Sequence, residues 1–133
     1  MTPRVSVVIP TYHNAEFVLA TLDSVLAQTY TDYEVLISDH SSTDGTWEVL
    51  QRFADHPRVR LWQTPPGGGA VANWQAVTDA ASGEFLKLVC GDDLVYPTCL
   101  RDQVEAMHAH PDVTLVCARR DLIDADGAIV LGG

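Results

Sequence analysis

Short runs of strand-forming residues alternate with amphipathic stretches along nearly the whole chain, and this alternation restricts the fold more than any other feature. The runs are VSVVI (residues 5–9), YEVLIS (33–38), VRLW (59–62), EFLKLV (84–89) and VTLVCA (113–118). Between them, Phe17, Thr21, Leu22, Val25 and Leu26 share one helical face within 15–28. Trp47, Leu50, Phe53 and Ala54 share another, in a helix that Asp44 is placed to cap. Trp74 and Val77 are expected to turn inward from a helix over 70–81, and Leu100, Val104 and Met107 from one opened by Pro97. The ending DADGAIVL predicts an Asp-Gly turn into a last, antiparallel strand. Such alternation needs an α/β fold, a mostly parallel sheet flanked by helices on both faces. With 133 residues, the chain has room for one domain with a real core and not for two.

A formal net charge of -10 excludes a typical nucleic-acid binder, which needs Lys and Arg against phosphate, and suits a site that recruits a divalent cation. Cys90, Cys99 and Cys117 are odd in number and lack CxxC spacing, so they read as reduced thiols used as small core residues. Neither a disulfide framework nor a zinc site is suggested by that spacing. No signal peptide precedes the first strand, and no apolar run approaches the roughly 20 residues a membrane helix needs. The expected location is the cytoplasm.

Ligands of open α/β sheets bind outside the carboxyl ends of the strands. That rule selects the loops PTYHNAE, SDHSSTDG, TPPGGGAVAN and CGDDLVYP. Asp92 and Asp93 are adjacent anions at a strand end, an arrangement that favours a divalent cation with oxygen ligands; capping of the following helix is the alternative. Thr11, Tyr12 and Asn14 stand where the first strand meets a helix, where Tyr12 could stack on a planar base or pack over the sheet edge. Asp39 is placed to accept ring N–H groups or ribose hydroxyls. His40, without a visible partner, reads as a surface residue. The glycines after Pro66 would let backbone approach a ligand, but no Gly-Lys-Ser/Thr ending makes this a phosphate-binding P-loop.

Together the motifs VSVVIPTYHNAEFVLATLDSVLAQTYTDYEVLISDHSSTDGT, ASGEFLKLVCGDD and LVYPTCL resemble the amino-terminal part of an inverting family 2 glycosyltransferase. The likeness covers nearly all of residues 4–118 in order. It implies a Rossmann-like, glycosyltransferase A-type fold, truncated, with residues 1–133 as the nucleotide-diphospho-sugar-binding part. The acceptor-binding half and the general base would then lie beyond Gly133, leaving the fragment inactive by itself. The implied reaction moves a sugar to an acceptor hydroxyl with inversion, assisted by Mn²⁺ or Mg²⁺.

Carried over by position, Pro10, Thr11 and Tyr12 contact the nucleoside, with Glu16 a weaker candidate. Asp39 reads base and ribose, while His40 stands where the family commonly has a second acid. Asn73 is the diphosphate candidate, with Ala72 where the family often has arginine. Gly91 replaces the first acid of the metal motif, so the metal passes chiefly to Asp93, with Asp92 nearer the sugar or ribose. The implied partners are a sugar-nucleotide donor, UDP-sugar preferred, and a glycan or lipid-linked acceptor. Peripheral membrane association of the full-length protein and a homodimer stay open. The alternative reading is a non-catalytic nucleotide-binding or regulatory module.

Overall fold

The computed structural model describes residues 2–133. Strands β1 (Val5–Thr11), β2 (Tyr33–Asp39), β3 (Val59–Gln63) and β4 (Phe85–Leu88) form one parallel sheet in the order β3-β2-β1-β4. The crossovers carry α1 (Val18–Leu26), α2 (Thr46–Gln51) and α3 (Gly69–Asp79), and α4 (Cys99–Ala109) follows β4. All seven residues of β1 are buried, as a central parallel strand covered on both faces requires.

Alternation along the strands divides the core. Val5, Val7 and Ile9 of β1, with Val35 and Ile37 of β2, pack against Val18, Leu22 and Val25 of α1, Leu50 of α2 and Leu100 and Val104 of α4. Val8 and Leu36 face the opposite way, onto Val77 of α3. Fully burying one such side chain is worth about 1.5–3 kcal/mol, so the middle of the sheet holds most of the stability. Pro10 lies inside β1, yet β4 pairs with β1 only from Val5 to Val8. The amide that proline lacks would point past the end of β4, so no rung of the ladder is lost.

Three expectations are corrected. Residues 113–118 form no strand: Val113 and Leu115 are 38% and 75% exposed, and the segment pairs with no described strand. Its β-branched residues favour a strand, but a strand exists only where its amides and carbonyls find a partner. The Asp-Gly turn does form, with β5 (Leu122–Ile123) antiparallel to β6 (Ile129–Leu131). Trp74 does not turn inward, because the buried positions of α3 are Asn73 and Val77, one helical turn apart. The cysteines are not core residues either; Cys90 and Cys99 are half-buried and Cys117 is exposed.

Candidate functional site

The carboxyl ends of β1 and β2 are tied by Asp39, which is fully buried. Its Oδ1 accepts hydrogen bonds from the Thr11 hydroxyl (3.1 Å) and the Ser42 hydroxyl (2.5 Å). Its Oδ2 accepts from the Ser42 backbone N–H and the Gln63 side-chain amide, both at 3.0 Å. A carboxylate offers about four lone-pair positions, so the protein itself fills this one.

Backbone pairing continues one residue further, the His40 N–H donating to the Thr11 carbonyl at 3.0 Å. That rung carries the imidazole inward, where it is 8% exposed and its Nδ1 lies 2.7 Å from the Thr64 hydroxyl. His40 is therefore a buried pocket residue and not the surface residue its loop position suggests. Asp44 stands one residue before the Gly45 cap position of α2, and its carboxylate accepts from the Thr46 N–H and hydroxyl and from the Ala15 N–H. Burial pushes the Asp44 carboxyl up, but hydrogen bonds from Thr46 and Ala15 outweigh it and hold the group below its ordinary value.

A cavity of about 500 Å³ opens between these loops, a volume typical of small-molecule sites. Pro10, Thr11 and Tyr12 form one wall, His40 and Ser41 a second, Gly69, Asn73 and Trp74 a third, and Cys90 to Asp92 the fourth. The Tyr12 ring is 57% exposed and stacks on His13 (centroids 4.0 Å, interplanar angle 17°), with His40 edge-on at 6.0 Å. Asn73 spans the floor: its amide donates to the Thr11 carbonyl (3.0 Å), and its oxygen accepts from the Ser38 hydroxyl (2.7 Å). Among the described residues, no lysine or arginine borders the cavity.

The loop after β4 turns sharply, the Asp93 N–H donating to the Cys90 carbonyl at 3.1 Å. The turn is possible because residue 91 is glycine; a Cβ there would lie 2.6 Å from Oδ1 of Asn14 and 3.0 Å from Cγ2 of Thr11. One donor atom from each of Cys90, Asp92 and Asp93 lies within 4.8 Å of the others, with both carboxylates exposed. Burial, and then the charges of Asp93 and Asp92, push the Cys90 thiol above its ordinary value. Helix α1 and the segment just past it anchor the far end of the loop. Ser24 accepts from the Val95 N–H, while Gln28 accepts from the Leu100 N–H and donates to the Tyr96 carbonyl.

Of the residues singled out from sequence, Pro10, Thr11, Tyr12, Asn73 and Asp92 border the cavity. Asp39 lies behind it, Asp93 stands beside it in the acidic turn, and the exposed Glu16 is not part of its wall. His40, Trp74 and Cys90 were not expected there. The 40th position carried a signal, since backbone pairing that reaches Thr11 and Asp39 extends readily by one rung.

The sequence profile of glycosyl transferase family 2 matches residues 6–130. The chain is 34% identical, over 98% of its length, to a chondroitin synthase of Pasteurella multocida (strain Pm70) and equally to a hyaluronan synthase of Pasteurella multocida, and it covers 14% of each relative. Among solved structures it resembles a mannosyltransferase from Pyrobaculum calidifontis in complex with GDP-Man and Mn²⁺. That match has 30% identity and a TM-score of 0.75, over 90% of this chain and 36% of that one. S. aureus TarS 1-349 in complex with UDP-GlcNAc, at 21% identity and a TM-score of 0.75 over 92% of this chain and 40% of that one, shares the fold.

Proposed function

The chain belongs to glycosyl transferase family 2, and from that premise we propose that its cavity binds a nucleotide-diphospho-sugar whose sugar passes to an acceptor hydroxyl with inversion. The observation that carries this reading is the joining, in one cavity, of an exposed aromatic ring, Tyr12, and an acidic turn at Asp92.

In this reading Tyr12 stacks on the base, held flat by His13 behind it. Pro10 and the Thr11 backbone close the nucleoside wall, and Asn73 keeps the end of β1 in place. The glycine loop brings the amino end of α3, whose amides favour negative charge, toward the diphosphate. Asp39 acts through Thr11, Ser42 and Gln63, fixing the loops that touch the nucleoside. A ribose hydroxyl reaches it only by displacing one of those donors.

Asp92 and Asp93 present hard oxygen donors at the cavity rim, a set that fits Mn²⁺ or Mg²⁺ completed by waters and phosphate oxygens. When bound, such an ion supplies counter-charge to the departing diphosphate. That role matters here because, among the described residues, no lysine or arginine borders the cavity. Among the described residues Asp92 is the only carboxylate residue in its wall, so none of them is assigned as the base that activates the acceptor.

Thermal unfolding with UDP, GDP, CDP and dTDP, each with and without Mn²⁺, tests the reading. Metal-dependent stabilisation is expected, about 2.7 kcal/mol at a hundredfold excess over Kd, with UDP foremost. No stabilisation by any nucleotide would overturn it in favour of a module that binds no nucleotide.

A further inference from the structure

The turn after β4 brings three chemically different atoms to one point. Residues 90, 92 and 93 occupy its first, third and fourth positions, so two carboxylate oxygens and the Cys90 sulfur lie mutually within 4.8 Å. Oxygen donors alone would suit Mg²⁺ or Mn²⁺. Sulfur changes the preference, because thiolates select softer ions and affinity rises from Mn²⁺ through Co²⁺ toward the end of the first transition row.

We propose that Cys90 is a third ligand of this site, which therefore takes a thiophilic divalent ion, Zn²⁺ or Co²⁺, in competition with Mn²⁺ and Mg²⁺. On binding, the S–H bond breaks, its proton leaves to solvent, and the sulfur electron pair forms the metal bond; no oxidation occurs. A tetrahedral ion with bonds of about 2.0–2.3 Å needs ligands about 3.5 Å apart. Side-chain rotation closes that gap from the present separation, since both carboxylates are exposed. Three protein ligands leave a fourth position open toward the cavity that Cys90 and Asp92 border. A zinc or cobalt ion there would sit where the diphosphate is proposed to bind, making the site sensitive to the balance of available metals. Sequence spacing gives no hint of this, because the three ligands do not form a CxxC pair and one of them is a lone thiol.

The inference rests on the acidic turn being the metal site, and it is tested with metal alone. Co²⁺ is titrated into the whole chain carrying Cys99→Ser and Cys117→Ser, so that Cys90 is the one remaining thiol. A sulfur-to-cobalt charge-transfer band in the near ultraviolet is expected, bleached by Zn²⁺. With Cys90→Ser or Cys90→Ala added, the band should vanish and Zn²⁺ affinity should fall at least ~10-fold. Cobalt binding without that band, or equal Zn²⁺ affinity with and without Cys90, overturns the proposal. UDP with Mn²⁺ stabilising the same protein while cobalt gives no sulfur band would sink this inference and leave the donor-binding reading standing. A sulfur band without nucleotide binding would do the reverse.

Discussion

Thr11 and Asp39 face each other across the last rung of the β1–β2 ladder, and the threonine hydroxyl donates to the aspartate at 3.1 Å. The same carboxylate accepts from Ser42 and Gln63, so one buried side chain gathers the ends of three strands. An amide in its place offers one accepting atom and leaves donors orphaned. Asp39→Asn is therefore expected to cost about 1–3 kcal/mol in urea unfolding. A loss within ~0.5 kcal/mol, the range of an ordinary surface change, would contradict the bonding described.

Gly91→Ala should damage fold and site together. Its Cβ would meet Asn14, whose side-chain oxygen accepts from the Tyr12 N–H at 2.9 Å. Displacing Asn14 releases the backbone beneath the proposed base platform. A stability loss of about 1–3 kcal/mol, as for other overpacked positions, should accompany weaker nucleotide binding in calorimetry. Wild-type values for both would show that the turn has room.

Asp93→Ala removes an exposed carboxylate from the acidic turn and nothing from the core. Melting temperature should stay within a degree or two of wild type, while Mn²⁺-dependent nucleotide binding disappears. Equal nucleotide affinity in mutant and wild type would remove Asp93 from the metal site.

Glu34 links stability to pH. Burial pushes its carboxyl up, but hydrogen bonds from Ser6 and Ser82 outweigh that and hold it below its ordinary 4.5. A depressed folded-state pKa stabilises the protein fully above the unfolded value, and this contribution is lost as pH falls through the folded one. Glu34→Gln keeps an accepting oxygen and removes the titration. The variant should lose less stability than wild type between neutral pH and pH below 4.5. Parallel stability curves would show that Glu34 contributes nothing to acid sensitivity.

Residues 1–133 alone should bind a sugar nucleotide without glycosylating an acceptor. Asp121 accepts from Tyr96 and Gly133, Asp124 closes its own turn, and neither borders the cavity. General-base catalysis contributes about 10²–10⁴-fold, so its absence should leave at most slow donor hydrolysis. Incubation with radiolabelled donors, Mn²⁺ and an acceptor extract checks this; robust transfer would mean that a described residue acts as the base.

The sheet could be read from sequence because each of its four apolar runs is followed within three residues by Pro, Gly or Asp, and the four site loops followed from which strand ends those are. Roles within the loops were less legible. Asp39 looked like a free acceptor because Gln63, its partner from 24 positions away, arrives only through the β2–β3 pairing. Trp74 looked like the core residue of α3 because hydrophobicity outranks Asn73 by composition. The fold instead places an amide there, which donates to the Thr11 carbonyl and accepts from the Ser38 hydroxyl. Residues 113–118 had the propensity of a strand without the partner that makes one.

The ladder that pairs Thr11 with Asp39 and Val8 with Leu88 also works as a proofreader. A slip of one residue between parallel strands would shift a loop by about 3.3 Å and turn every side chain to the opposite face. The Thr11 hydroxyl would then leave Asp39, valines would exchange faces, and the acidic turn would move along the cavity wall. A misregistered chain would thus lose its core and its binding cleft in one step. Ligand binding by this protein should therefore report native strand pairing as all-or-none, and a nucleotide that recognises the cleft would count only the correctly folded molecules in a refolding mixture.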